Sequence, residues 1–592
     1  MTKEKALIFI PLAITALILL SYLSSVVYFF LSGFSPGDAA PWSIWSALPD
    51  AGDPQVQSRL FVSFGLPILG IVVLTGAYYD SIKNANNTLG KARWAKTADV
   101  KKAGLFSEDG LILGKFQNRY LISDKPTHAM VMAPTRSGKG VGLVVPNLLA
   151  WKDSLICLDI KRENYAKTAG FRKDHGHEVF FWSPMNPDGR SHRYNPLDAV
   201  STDPYKRISD IQIIAKILIQ DPARSDPIWA SEARALFVGL ALYVMDNKDM
   251  PSTIGAINRL LGTEADLGDV CRHIVKTHPE LSTAVKKSLM NFANKAAKER
   301  SGVKSSINQA INLWDNPMID AATSASDFSL TDFRRKKMAV YVGIGIEEID
   351  TLAPLVRIFC EQVIKTLSRN EPGEDEPYKV LMLMDEIHML GRMESMTSAF
   401  TLLAGFNVRI MAIVQDISWL DETYGRNVRE GVLSCCAHQI YFANNNTSTN
   451  KYVSDACGET TVETTSISRR KTMRYEAPTK NISSRTRPLI TKEEIHHLPE
   501  TEQIILVEAS PPIYCNKIRY YEDKNFKDRH IPAPEVPLLT IKHEAIPEFK
   551  IPSEEYTKAP AVDPNQTNMF SGDIENDDFS DDIQDSDIDA VA

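Results

Sequence analysis

The chain has 592 residues, with 66 Lys and Arg against 74 Asp and Glu, a net charge of −8 and 44% hydrophobic residues. That length and apolar content exclude a small disulfide-stapled scaffold and a wholly disordered chain, and they leave room for two or three domains. The seven cysteines include no C-x-x-C pair and no accompanying histidine cluster, so they read as reduced residues with no metal site.

The first element is a charge-free run of 26 residues, Ala6 to Leu31, and the second a charge-free run of 20, Leu60 to Tyr79. Each is long enough as a helix to cross a hydrocarbon core of about 30 Å. The first is too long for a cleaved signal and has no clear small-residue cleavage site. Lys3 and Lys5 precede the first run, six lysines and arginines between Lys83 and Lys102 follow the second, and the segment between them has Arg59 as its one base. This bias predicts two spans with both termini cytoplasmic and a short outer loop carrying Trp42 and Trp45.

Next comes His128–Ala133, an apolar strand, then Ala133–Gly140 (APTRSGKG), then the apolar start of a helix at Val141. Strand, tight Gly-Lys loop and helix form the layout of a phosphate-binding loop. The backbone N–H groups of Thr135, Arg136, Ser137, Gly138, Lys139, Gly140 and Val141 would cradle phosphates, and Lys139 would reach the β/γ oxygens. The loop departs from the usual pattern at Ala133, where glycine is expected, and at Gly140, where serine or threonine is expected. A second motif supports it: Lys379–Glu386 (KVLMLMDE) is an apolar strand ending in two acids. Asp385 would hold Mg²⁺ and Glu386 would polarise the attacking water. Together the two motifs predict an ATP-hydrolysing P-loop enzyme.

Strand-like runs at Ser154–Ile160, Val179–Ser183, Met338–Gly345, Val380–Asp385, Val408–Gln415 and Gln439–Ala443 alternate with helical segments. Apolar on both faces, they predict an α/β domain with a mostly parallel sheet. Gln503–Tyr521 reads as two antiparallel strands turning at Pro511-Pro512. From Asp203 to Asn316 strand signals vanish and helical spacing dominates, which predicts an all-helical insertion. Its later part, Arg272–Lys304, is basic and reads equally as a phosphate-tracking surface or a solvated face; Arg469–Arg487, with seven bases and one acid, reads as a loop. The last twenty residues hold nine acids and no base, so Asp563 onward is expected to be a disordered tail, and without it the chain is close to neutral.

Several segments recur in order: GKARWA from Gly90, PTRSGKGVGLVVPNLL from Pro134, LDIKREN from Leu158, YNPLD from Tyr194, TSASDF from Thr323, MDEIHMLGR from Met384, VRIMAIVQDISWL from Val408 with Tyr424-Gly425, and RPLIT from Arg487. As a set they resemble the type IV secretion coupling proteins, the TraG/TraD-like membrane ATPases. The resemblance implies a RecA-like domain over 81–202 and 317–540, an all-helical domain over 203–316, an anchor over 1–80, and a linker and acidic tail over 541–592. It implies a homo-hexamer in the bacterial inner membrane, in contact with membrane lipid, the secretion channel and its other ATPases. Its cargo would be protein effectors, a relaxase–DNA complex, or both. Lys139, Asp385 and Glu386 match the family's phosphate lysine, Mg²⁺ acid and water-polarising acid, and Gln415 matches a γ-phosphate sensor. With Gly140 lacking a hydroxyl, Ser137 or water would complete the Mg²⁺ shell. No arginine lies in Leu402–Asn407, where some relatives place the residue lent to a neighbouring subunit, so Arg409 is the expectation for that role. Two other readings are a DNA pump of the FtsK kind, which YNPLD, TSASDF and MDEIHMLGR disfavour, and a docking platform without hydrolysis.

Overall fold

The computed structural model describes residues 3–85, 90–221, 227–468, 479–542 and 545–549. The acidic tail from Asp563 and residues 469–478 of the basic stretch lie outside the described residues.

The strands are β1 (Leu111–Phe116), β2 (Arg119–Ser123), β3 (Ala129–Met132), β4 (Ser154–Ile160), β5 (Glu178–Trp182), β6 (Met338–Ile344), β7 (Val380–Met384), β8 (Val408–Val414), β9 (His438–Tyr441), β10 (Glu459–Ser468), β11 (Thr479–Pro488), β12 (Glu502–Val507) and β13 (Ile513–Asn516). Eleven of them form one sheet in the order β2-β1-β13-β12-β9-β3-β8-β7-β4-β6-β5. From β9 to β5 every pairing is parallel, and from β9 outward through β12, β13, β1 and β2 every pairing is antiparallel. The seven strands expected to be parallel are those of the parallel part, and Gln503–Tyr521 does fold as an antiparallel pair. Strands β3, β4, β6, β7 and β8 are buried along their whole length. Alternate residues feed two cores: Met132, Leu158, Met384 and Ala412 on one face, and Val131, Cys157, Leu383 and Met411 on the other.

Between β5 and β6 the described residues contain helices and no strand: Pro204–Leu218, Ile228–Asp246, Ile254–Leu261, Leu267–Thr277, Thr283–Ala293, Ala297–Ile311 and Pro317–Ala322. Polar residues start several of them. Asp203 accepts from Tyr205 N, Thr253 from Ala256 N, and Ser282 from Val285 N. The basic face expected over Arg272–Lys304 is partly neutralised at home: Arg272 pairs with Asp269, Lys295 with Glu232 and Arg300 with Asp266.

Lys3–Leu31 and Pro54–Ala85 are two long helices that contain the two charge-free runs. The segment between them packs back on them: Ile44 is buried against Leu60, and Trp45 Nε1 donates to Ser21 Oγ at 2.6 Å. Pro54–Ala77 and Ile228–Asp246 are each apolar and long enough to cross a membrane, but 56% of the latter's apolar window is buried against 11% of the former's. Ile228–Asp246 is therefore a core helix.

One expectation is corrected here. The basic stretch read as a loop ends in a strand, since β11 covers Thr479–Pro488 and pairs with β10 along its length. The expected helix after Ala133–Gly140 is present and opens with a wide π turn over Gly140–Val144. Pro146, in the first turn of the following helix Val145–Ala150, has no N–H to donate to Gly142, and Val145 N bonds instead to Gly140 O.

Candidate functional site

β7, β8 and β3 are adjacent in the sheet, and their carboxyl ends deliver three segments to one place. In an open α/β sheet this is where ligands bind. Met132 pairs with Val414 and Met384 with Ala412, so the loop after β3, the acids after β7 and Gln415 after β8 converge.

The loop holds its own shape. Ala133 N donates to Val414 O at 2.9 Å, which docks the loop's start on β8. Ser137 N and Oγ both donate to Pro134 O, at 3.3 and 2.7 Å. Arg136 and Gly138 have positive φ, 61° and 85°. For glycine this costs little, but for arginine it costs on the order of 1 kcal/mol or more, so the loop needs outside support. Thr135 and Arg136 are exposed, and Ser137 to Val141 are half-buried.

Lys139 reaches the acids. Its Nζ donates to Glu386 Oε1 and lies 3.3 Å from Asp385 Oδ1. Burial raises the Asp385 carboxyl above the usual range, against the pull of the Lys139 ammonium. Glu386 has φ 52°, a left-handed turn that directs the chain into the short helix Ile387–Leu390. His388 Nδ1 lies 3.5 Å from Glu386 Oε2, and its ring packs on Trp419 at 4.6 Å. Burial, and then the charge of Lys139, lower His388 to about 4, so it is neutral at pH 7. Asp385 Oδ1 and Glu386 Oε2 are buried yet accept no hydrogen bond in the described structure. Two buried carboxylate oxygens, one of them facing only the Lys139 ammonium at 3.3 Å, beside the loop Ala133–Gly140 are a suitable donor set for a hard divalent cation.

Gln415 is half-buried, and its carbonyl accepts from Asn444 Nδ2 at 2.8 Å. Asn444 is buried, and its own carbonyl accepts from Asn450 Nδ2 at 2.8 Å.

Three further residues were missed from sequence. Asp159, the residue after Leu158 in β4, follows the register step Leu158–Met384 and so stands beside Asp385. It accepts from Asn164 N and Tyr165 N at 3.0 and 2.8 Å, and burial pushes it up to about 6. An acid closing an apolar strand was the available signal, the same one that marked Asp385. His388 was available in the same way, two residues beyond Glu386. Lys517, just after β13, carried no local signal. Its Nζ donates to Ser137 O at 3.0 Å and lies 3.8 Å from the Phe442 ring centre. Burial lowers it to about 8.

Arg409 is a correction. It is the second residue of β8, at the opposite end of the strand from Gln415, and is only 3% exposed. Its guanidinium donates to the carbonyls of Ser123 and Asp124 and packs on Trp151. A buried guanidinium held by backbone at the far end of an interior strand has no surface to offer a neighbouring subunit.

Comparison with known proteins gives a consistent result. A family model described as type IV secretory system conjugative DNA transfer matches residues 87–538. Protein VirD4 of Rhizobium rhizogenes is 33% identical over 474 residues, covering 78% of this chain and 70% of the relative. The conjugal transfer protein TraG of Escherichia coli is 27% identical over 611 residues, covering 90% and 95%. The fold is that of the bacterial conjugative coupling protein TrwB lacking its first 70 residues, with a TM-score of 0.53 at 16% identity over 72% of this chain and 92% of that one. TrwB in complex with ADP and Mg²⁺ aligns equally well, with a TM-score of 0.53 at 16% identity, covering 72% and 94%.

Proposed function

The chain belongs to the type IV secretory conjugative DNA transfer family, and from that premise we propose that it is a membrane-anchored ATPase that receives DNA–protein or protein cargo and delivers it to a type IV secretion channel. The observation that carries the ATPase reading is the meeting of Lys139, in the loop after β3, with Asp385 and Glu386 after β7, across the intervening β8.

In this reading residues 81–202 and 317–540 form a RecA-like motor, 203–316 an inserted helical domain, and 541–592 a linker and tail. ATP is the substrate. The N–H groups from Thr135 to Val141 bind its phosphates, and Lys139 exchanges its carboxylate partners for the β/γ oxygens. That exchange frees Glu386 to orient water, with neutral His388 beside its second oxygen. Gln415, with an amide that can donate and accept, reports the γ-phosphate. Asp385 would hold Mg²⁺, and Ser137, whose hydroxyl hydrogen goes to Pro134 and leaves oxygen lone pairs free, or water would supply the remaining oxygens. When bound, Mg²⁺ neutralises phosphate charge. The helices Lys3–Leu31 and Pro54–Ala85 would span the inner membrane with both termini cytoplasmic, and the motor would act as a hexamer, as the family resemblance implies. With Arg409 buried, the arginine lent across the ring comes from another position.

The test is turnover by the purified full chain. Lys139→Ala and Glu386→Gln each remove charge or proton acceptance needed in the transition state, and each should lower ATP hydrolysis on the order of 10²-fold or more. Membrane insertion should be unchanged. Normal turnover in both variants would sink the assignment and leave a docking platform.

A further inference from the structure

The phosphate loop is supported on its outer side by one side chain from a distant part of the chain, and that side chain is Lys517. Its backbone is fixed first: Lys517 N donates to Thr501 O at 2.8 Å, immediately beyond the β12–β13 pairing. The next residue closes on the loop's own helix. A Cβ added at Gly142 would lie 3.3 Å from Ile518 O, and Ile518 packs with Val145, Leu149 and Phe526. From this base the lysine side chain passes over the Phe442 ring, and its ammonium donates to Ser137 O.

Apart from its own turn, the Ala133–Val414 bond and the Lys139 ion pairs, the loop is open. Nothing lies within 4 Å of where a Cβ would stand at Gly138 or Gly140, and Thr135 and Arg136 face solvent. Arg136 nevertheless holds a left-handed backbone next to Ser137. A phosphate loop works by keeping its N–H groups turned inward, so its carbonyls turn outward. An ammonium on the Ser137 carbonyl fixes the orientation of the peptide that it shares with Gly138, and therefore of the Gly138 N–H.

We propose that Lys517 is a positioning residue for nucleotide binding: it holds the Ser137–Gly138 peptide in the phosphate-binding orientation and acts through the loop without touching the reacting atoms. This rests on the ATP-site reading above. Two features make lysine suited to the task. Its charge strengthens the hydrogen bond to a carbonyl, and the Phe442 ring stabilises that charge where water is scarce.

The experiment uses the full chain in detergent or nanodiscs, with Mg-ATP as the probe. Lys517→Met keeps the stem over Phe442 and removes the donor. We expect KM for ATP to rise about tenfold, as loss of a charge-assisted hydrogen bond predicts, with kcat changed less than twofold. Lys517→Arg can donate to the same carbonyl and stack on the same ring, and it should return KM to within about twofold of the wild type. Equal KM in Lys517→Met and wild type would overturn the proposal. So would a parallel fall in kcat and melting temperature with KM unmoved, because that is the mark of a purely structural residue. If the wild type itself neither binds nor hydrolyses ATP, the site reading fails and this inference fails with it. If the wild type turns over and Lys517→Met matches it, the site reading stands and this inference alone is lost.

Discussion

Gly140 stands where a phosphate loop usually carries a hydroxyl. Its φ is ordinary and nothing lies within 4 Å of a Cβ built there, so a side chain enters without strain. Gly140→Ser should therefore fold normally and supply one more oxygen for the metal. We expect the Mg²⁺ concentration for half-maximal turnover to fall roughly fivefold, equivalent to about 1 kcal/mol. An unchanged Mg²⁺ requirement would show that water already serves as well as the hydroxyl. At this scale the site was legible where the chemistry is compressed into short spacing. Asp385 and Glu386 close an apolar strand and Lys139 sits in the Gly-Lys turn that follows another, and strand ends are where an α/β sheet displays its chemistry. Arg409 misled because sequence shows a base in an apolar strand but not which way the strand runs past the site. Five residues separate it from Val414, about 17 Å of extended chain. Lys517 was illegible for a different reason: its partner is 380 residues away, and no local pattern records such a pairing.

The segment from Ile531 to Leu539 is an extended strap across the back of the sheet's helices. Tyr165 OH donates to Pro534 O at 2.7 Å, Arg190 to Val536 O at 2.7 Å, and Leu539 N to Gly189 O at 2.8 Å. The strap passes so close to the helix Glu163–Asp174 that a Cβ at Gly170 would collide with the carbonyls of Ile531 and Pro532. Gly170→Ala should favour the helix by about 1 kcal/mol in isolation, yet in the folded protein it must lift the strap. We expect a net loss of about 1–3 kcal/mol and early cleavage within 531–542 in limited proteolysis. Wild-type cleavage kinetics would mean that the strap yields without cost. Among the elements, the parallel strands were readable because most are buried on both faces and are mostly apolar in composition. The β10–β11 hairpin was not, because ETTVETTSIS and TKNISSRTRP carry Thr, Ser and charge on both faces. Paired backbone along both strands defines that hairpin. The short pair β1–β2 was missed too, since Gly114 and a register shift break its alternation.

Across the molecule, three histidines remote from the acids share one electrostatic situation. Burial, ahead of nearby arginine or lysine charge, lowers His128, His177 and His438 each to about 4. Unfolded histidine titrates near 6.5. Between those values the unfolded chain binds protons that the folded chain refuses, so stability is full above about pH 6.5 and is lost as pH falls towards 4. Unfolding near pH 5.3 should take up about three protons from these groups, read as the dependence of the unfolding enthalpy on buffer ionisation heat. Uptake that is unchanged in His128→Gln would remove that residue from the set. Charge also shapes the tail prediction. Phe549 packs on His273 at 6.2 Å, so the strap brings the chain to the helix Leu267–Thr277. The nine acids of the last twenty residues are interleaved with Phe579, Ile583 and Ile588. Acids with isolated apolar residues steer a basic partner in and then dock a few side chains. Truncation after Val562 should leave ATP turnover intact and lower the export of at least one cargo. Binding of the intact tail to that cargo should weaken with salt, because exposed charges are screened within about 10 Å at 0.1 M. Undiminished export of every cargo would reduce the tail to a solubilising role.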